Sequence, residues 1–250
     1  MTRVAALYDI HGNLPALEAV LSDVRRAGVE EIVVGGDVVP GPMAREVFDC
    51  LMSQDIATQF IMGNGDREVL ARMRGRDYTA MPDPFESWLG WCASQLTRDH
   101  GQVMESWPAT TSLEIDDIGE VVFCHATPRN DVEIFTRNTP EARLVPIFEH
   151  LYARIVVCGH THMQFDRIIG ATRVVNAGSV GMPFGEPGAY WMLLGGGVEF
   201  RRTRYDRDAA AARIRETTYP GADVFAETYV LHPPSEQAIL ETYAKAELTS

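Results

Sequence analysis

The chain has 250 residues and a formal charge of −13, from 22 Lys and Arg against 35 Asp and Glu. Hydrophobic residues make up 46% and charged residues 23%, the balance of a globular chain with a buried core, which excludes disordered, collagen-like and disulfide-scaffold classes. The acidic excess argues against binding a nucleic-acid duplex or an anionic membrane through a basic face, although a bound cation can reverse the field locally and admit a small anion.

In chain order, residues 4–8 form a short apolar strand. Asn13 then reads as a helix N-cap with Pro15 in the first turn, and Leu14, Leu17, Val20, Leu21 and Val24 follow at helical spacing until Gly28. Residues 31–34 read as a buried strand, 45–54 as a helix and 58–62 as a third strand. This β-α-β-α-β order predicts a largely parallel sheet with right-handed crossovers, whose ligands gather at the carboxyl ends of the strands. Residues 66–100 read as helix, loop, helix, punctuated by Pro82 and Pro84, with Trp88, Leu89, Trp91, Cys92 and Leu96 on an apolar face. A hairpin is expected over 112–115 and 120–124, a helix over 139–152, and strands over 154–158, 163–169, 173–176, 190–194 and 198–205. The last 45 residues read as mostly helical, broken at Pro220 and at Pro233–Pro234. No internal repeat or linker interrupts this pattern. A single α/β domain over 1–250 is expected, with two sheets, a helical insertion at about 67–108 and a helical C-terminal extension at about 206–250.

Cys50, Cys92, Cys124 and Cys158 form no C-x-x-C pair and read as buried thiols in a reducing compartment. The N-terminal stretch MTRVAALYDIHGN has no long apolar segment, so no signal peptide or membrane span is expected and the cytoplasm is the expected location.

Five short segments carry the chemistry, each after an apolar strand: Asp9-Ile10-His11, Gly36-Asp37, Gly63-Asn64-Gly65-Asp66, His125 in FCHATP, and Gly159-His160-Thr161-His162. Singly, most of these are weak: Gly-Asp and Asn-Gly are turn dipeptides, and a lone buried histidine is usually a satisfied core residue. Together they offer Asp9, His11, Asp37, Asn64, His125, His160 and His162 at successive strand ends, which folding alone does not explain. Carboxylate, amide and imidazole donors suit divalent Mn, Fe, Zn or Ni. One bridging carboxylate plus three further ligands per ion would use all seven side chains. Two such ions stabilise both attacking and leaving oxygens of a phosphoryl displacement. With two Asp ligands and one hydroxide the cluster would carry about +1, despite the chain total of −13.

The ordered set D-x-H, G-D, G-N-x-D, H, G-H-x-H resembles the calcineurin-like metallophosphoesterase superfamily. The GNGD form and NAGSVGMP over 176–183 are similar to its small prokaryotic phosphodiesterase branch. The resemblance spans residues 3–205. It implies a four-layer α-β-β-α sandwich of two mixed sheets flanked by helices. It implies one metal on Asp9, His11, Asp37 and His162 and another on Asp37, Asn64, His125 and His160, with manganese first and Fe, Zn or Ni as alternatives. Asp37, Asn64 and His125 would be catalytic, and a metal-bridging hydroxide would attack a small phosphate ester. That ester would be a phosphodiester or alternatively a nucleotide monoester; a non-catalytic metal-binding scaffold on the same fold and a homo-oligomer both stay open. Many superfamily members carry His directly after the metal-binding Asn; here that position is Gly65, which leaves the general acid open. Asp66 reads as a helix cap that stays ionised beside cations.

Several residues keep two readings. Asn13 is an N-cap or a substrate contact at a helix start. Arg129 and Asn130 meet substrate oxygens or lie in a solvated loop. Asn176, Gly178 and Ser179 form a tight turn or touch phosphate. Trp88 and Trp91 are core residues or stacking platforms, and residues 82–100 are expected over or beside the metal cleft. His100, His150 and His232 have no partner motif, and RRTRYDR over 201–207 reads as a solvated edge strand.

Overall fold

The computed structural model describes residues 2–75 and 80–248. Residues 76–79, within the expected insertion, lie outside the described residues. Strands β1 (Val4–Leu7), β2 (Glu31–Val34) and β3 (Ala57–Phe60) pair in parallel. Helices α1 (Leu14–Arg26) and α2 (Ala44–Met52) are the two crossovers. Asn13 caps α1 by accepting from the Ala16 N–H at 3.2 Å, and Arg25 and Arg26 close its last turn, where positive charge suits the helix dipole.

The chain then runs through α3 (Asn64–Arg74), α4 (Phe85–Gln95) and α5 (Arg98–Met104), three helices where the sequence suggested two. Next come the antiparallel hairpin β4 (Thr110–Ile115) and β5 (Gly119–Cys124), helix α6 (Glu141–Phe148), and strands β6 (Ile155–Cys158), β7 (Phe165–Ile169) and β8 (Thr172–Asn176). Helix α6 is shorter than expected. It ends two residues after Pro146, which lacks a backbone N–H, and Tyr152 is fully exposed. Strands β9 (Ala189–Leu194) and β10 (Val198–Thr203) return to the first sheet. Its order is β10-β9-β1-β2-β3, and that of the second is β4-β5-β6-β8-β7, so both are mixed and five-stranded. Segment 201–207 therefore begins on an edge strand, as expected.

Period-two alternation builds the layers. On β1, Ala5 and Leu7 pack with Leu17, Val20 and Val24 of α1, whereas Val4, Ala6 and Tyr8 pack with Val121 and Phe123 of β5 and Val157 of β6. On the far face of the second sheet, Val156, Cys158 and Val174 meet Leu144 and Phe148 of α6. Helices thus flank two face-to-face sheets, the architecture the family resemblance implied. All four cysteines are free, and Cys92, Cys124 and Cys158 are buried.

The tail forms α7 (Arg207–Arg215), a turn α8 (Ala222–Phe225) that widens into a π-helical turn (Ala226–Leu231), and α9 (Glu236–Tyr243). No helix among the described residues is long and apolar enough to cross a membrane.

Candidate metal centre

The strand ends of both sheets face one cleft, and the turns there are held in unusual backbone shapes. Asp9, His11, Asp37, His160 and His162 have φ between +48° and +64°. Asp and His tolerate this left-handed region better than most residues. Even so, each such position costs about 1–3 kcal/mol, a strain that clusters at functional sites. The loops also hold one another. The Asp9 and His11 N–H groups donate to the Gly36 and Asp37 carbonyls at 3.1 and 2.9 Å. A Cβ on Gly63 would fall 2.3 Å from the Asp37 nitrogen, and one on Gly36 would fall 2.6 Å from the Gly63 nitrogen. Glycine at both lets the second and third loops touch.

The seven side chains converge. His11 Nε2 lies 3.2 Å from His162 Nε2, 3.9 Å from Asp9 Oδ1 and 3.7 Å from Asp37 Oδ2. His125 Nε2 lies 3.9 Å from Asp9 Oδ1, 3.7 Å from Asp37 Oδ1 and 3.0 Å from Asn64 Oδ1. Asp37 thus turns one oxygen to each half of the site. Asp9 Oδ2 accepts the His160 N–H at 2.8 Å, while Oδ1, wholly buried, has no hydrogen-bond partner.

Second contacts fix the imidazoles. A carbonyl can only accept, so Pro40, Met182 and Gly35 require Nδ1–H on His11 (3.1 Å), His162 (2.7 Å) and His125 (2.8 Å). Each then presents an Nε2 lone pair to the cleft, the arrangement of metal-bound histidine. His160 is inverted: its Nε2 faces the Val132 carbonyl at 3.3 Å, leaving Nδ1 for the cleft. Asn64 aims its amide oxygen among acceptors. Turned over, it would donate to Asp131 O at 3.2 Å and to His160 Nδ1 and His125 Nε2 at 3.0 Å each. A cation between these atoms would instead favour the oxygen-inward orientation.

Burial would raise the Asp9 carboxyl, but His162, His125 and His11 outweigh it and hold Asp9 below the usual carboxylate range. Burial lowers His11, and burial with His125 alongside pushes His160 down to about 4. His125 and His162 move upward: burial opposes this, but Asp37 and Asp9 win at His125 and Asp9 wins at His162. Among the described residues, the ion pairs of Asp9 and Asp37 are with histidines alone. Buried carboxylates with an orphaned oxygen and inward lone pairs call for positive charge. Two imidazole nitrogens on one ion at about 2.0–2.1 Å stand about 3 Å apart, as His11 and His162 do. The donors Asp9, His11 and His162 form one group that could hold an ion, and Asp9, Asp37 and His125 another. The side chains therefore fit divalent metal.

The other expected contacts have jobs in the fold. Asn13 is wholly buried, with Oδ1 on the Ala16 N–H and Nδ2 donating to Gly181 O at 2.9 Å. Arg129 forks onto buried Glu133, and Asn130 Oδ1 accepts from the Val132 and Glu133 N–H groups at 3.1 and 2.8 Å. Asn176 donates to Gly159 O at 2.6 Å and Ser179 to Asp9 O at 2.7 Å, clamping the first and last loops. Asp66 accepts from Val38, Val39 and Gly63 N–H, and without a cation alongside, burial together with Asp37 pushes its carboxyl up to about 7. His100 stacks on Phe48 at 4.7 Å, and exposed His232 pairs with Glu227 at 2.9 Å.

Beside the donors opens a cavity of about 270 Å3, with Phe85, Trp88 and Leu89 of α4 on one wall. This agrees with the expectation that 82–100 packs beside the cleft. The sequence reading missed the tail's part in the lining, Tyr219, Phe225 and Tyr229, of which Tyr219 packs on Trp88 at 6.0 Å. It also missed Phe184, stacked on His162 at 5.3 Å and backed by Tyr243 of α9. The aromatic spacing of the tail was the available signal, but it names no partner.

Two mixed sheets with a histidine–carboxylate cluster at their carboxyl ends define a metallophosphoesterase-type fold. The family model described as the calcineurin-like phosphoesterase superfamily domain matches residues 2–194, and the chain belongs to that superfamily. An uncharacterised protein of Methanocaldococcus jannaschii is 28% identical over 163 residues, 65% of this chain and 63% of that protein, so the match spans less than two thirds of that relative. A metallophosphoesterase from Sphaerobacter thermophilus superposes with a TM-score of 0.70 at 26% identity, covering 92% of this chain and 99% of that one. A hypothetical protein from Pyrococcus horikoshii superposes at 0.78 with 20% identity, covering 94% and 100%, a likeness of fold. The family uses divalent metals, and its membership supports hydrolysis of phosphoester bonds.

Proposed function

We propose that the protein is a cytoplasmic phosphodiesterase that uses two divalent ions, manganese first among them, on a small phosphate ester. One observation carries this reading: Asp9, His11, Asp37, His125 and His162 cluster closely enough to hold metal, with Asn64 against His125, in a cleft where buried Asp9 Oδ1 accepts no hydrogen bond. Asp9, His11, Asp37 and His162 would hold one ion, and Asp37, Asn64, His125 and His160 the other. When bound, such ions supply Lewis acidity to a phosphoryl group and a water nucleophile ionised near neutral pH.

The chain's own residues orient and pre-charge the site. Asp37 spans the two halves, with Oδ1 steadied by the Gly65 N–H at 2.7 Å. The Gly35, Pro40 and Met182 carbonyls lock three imidazoles in the lone-pair-inward tautomer. Gly65 offers no side chain to protonate a leaving oxygen, and Asp66 points into the Val38–Val39 turn. Esters with a good leaving group are therefore favoured over alkyl monoesters, since water must supply the proton.

Metal analysis combined with manganese-dependent hydrolysis of bis-p-nitrophenyl phosphate tests this. Asp37→Ala should lose more than about 100-fold in kcat/KM, beyond the range of outer-shell partners. His232→Ala, exposed and far from the motifs, should keep full activity. Stoichiometric metal without turnover of any ester would mean a binding scaffold instead. Equal turnover of p-nitrophenyl esters and alkyl phosphomonoesters would remove the leaving-group argument.

A further inference from the structure

The cavity of about 270 Å3 opens directly from His11, Asp37 and Asn64. Five aromatic rings line it, among the apolar side chains of Met81, Leu89 and Met182. Phe85 meets Trp88 at 5.4 Å, Trp88 meets Tyr219 at 6.0 Å, and Phe225 meets Tyr229 at 5.5 Å. Two of these come from the insertion and three from the tail, so two separate stretches of chain build one box against the donors.

The charge of this wall decides what it can hold. Among the described residues, no Lys or Arg lines the cavity. Glu68 reaches its edge but is held by Arg72 at 2.7 Å and Arg67 at 3.1 Å. Burial pushes the Cys92 thiol up to about 12 and holds the Tyr219 phenol above its usual range, so both stay neutral. Tyr219 is 7% exposed, and its hydroxyl makes no hydrogen bond among the described residues. A nucleoside di- or triphosphate would need cations here for its extra phosphates. A planar neutral ring instead meets aromatic faces and edges along this wall.

We propose that this cavity seats the organic group of a monomeric phosphoester: a neutral aromatic ring system attached to the phosphorus that the candidate metal centre holds. This rests on the phosphoesterase reading and deepens it by naming the substrate class. The phosphoryl oxygens face the donors, and the ring lies against the wall that Trp88 and Tyr219 form together, with Phe85, Phe225 and Tyr229 beside it. Specificity then comes from ring stacking and from the limited volume, with the Tyr219 hydroxyl, which has no partner among the described residues, available to a polar edge of the ring.

Two non-hydrolysable probes share one head group: phenylphosphonate and methylphosphonate, titrated by calorimetry into manganese-loaded protein. Phenylphosphonate should bind at least about tenfold more tightly, the scale of one aromatic stack. Leu89→Trp, which fills the cavity from its wall, and Trp88→Leu, which removes a stacking face, should each bring the ratio within about twofold. Equal affinities in the parent protein, or a phenyl preference that survives both variants, overturn the assignment. A second arm needs no metal. Naphthol, followed by its own fluorescence, should bind metal-free protein saturably and fail to bind Leu89→Trp. No naphthol binding alongside equal binding of the phosphonates overturns the aromatic site alone. Naphthol binding with neither phosphonate bound overturns the phosphoesterase reading beneath it.

Discussion

Asp66 and Arg129 both sit next to candidate ligands, and both are occupied by the backbone or by a neighbour. The Asp66 carboxylate collects three N–H groups, from Val38 at 2.8 Å, Val39 at 3.0 Å and Gly63 at 3.3 Å. It therefore pins the loop that carries Asp37 to the loop that carries Asn64. Asp66→Ala would strand these donors in a fully buried place and should cost at least about 2 kcal/mol. A lower urea midpoint at unchanged slope would register it; an unchanged midpoint would show the loops are held elsewhere. Arg129 covers Glu133, whose side chain is almost wholly buried and also accepts from Thr127 at 2.7 Å. Arg129→Ala should leave that carboxylate half-satisfied and lower stability by about 1–3 kcal/mol, with KM for a small diester unchanged. A raised KM at unchanged stability would return Arg129 to the substrate.

At the level of elements, the motifs were legible because each donor follows a strand within one turn, and strand ends are where parallel sheets place ligands. The apolar runs of β1, β2 and β6 fixed those strands, and the alternation on β5 fixed a face. The inversion of His160 was not legible, because it depends on the Val132 carbonyl, 28 residues away. The tail was legible as helix but not as a wall, since the spacing of Tyr219, Phe225 and Tyr229 marks an aromatic face without saying which distant helix it meets. Gly221 shows how closely the tail fits α4: a Cβ there would lie 2.6 Å from Trp88 Cε2. Gly221→Ala should force the indole or the helix aside at about 1–3 kcal/mol. Thermal unfolding measures that cost, and faster proteolysis within 206–248 should accompany it. An unchanged midpoint would mean that the contact is loose.

The whole molecule carries −13, yet its two sheets aim two buried carboxylates at one cleft where among the described residues only histidines balance them. Such a cleft is strained by its left-handed turns and by its unpartnered oxygen, and it has more to gain from a cation than the surface acids do. An ion that binds only the folded chain stabilises it by about 2.7 kcal/mol at a hundred times its dissociation constant. For a chain of this size, at about 2–4 °C per kcal/mol, that is a rise of roughly 5–10 °C. Manganese added to chelator-treated protein should give this rise, and a chelator should reverse it. In Asp37→Ala the rise should shrink, because both halves of the cleft lose an oxygen. A melting temperature indifferent to manganese, iron, zinc and nickel would remove metal from the cleft and with it the hydrolytic function.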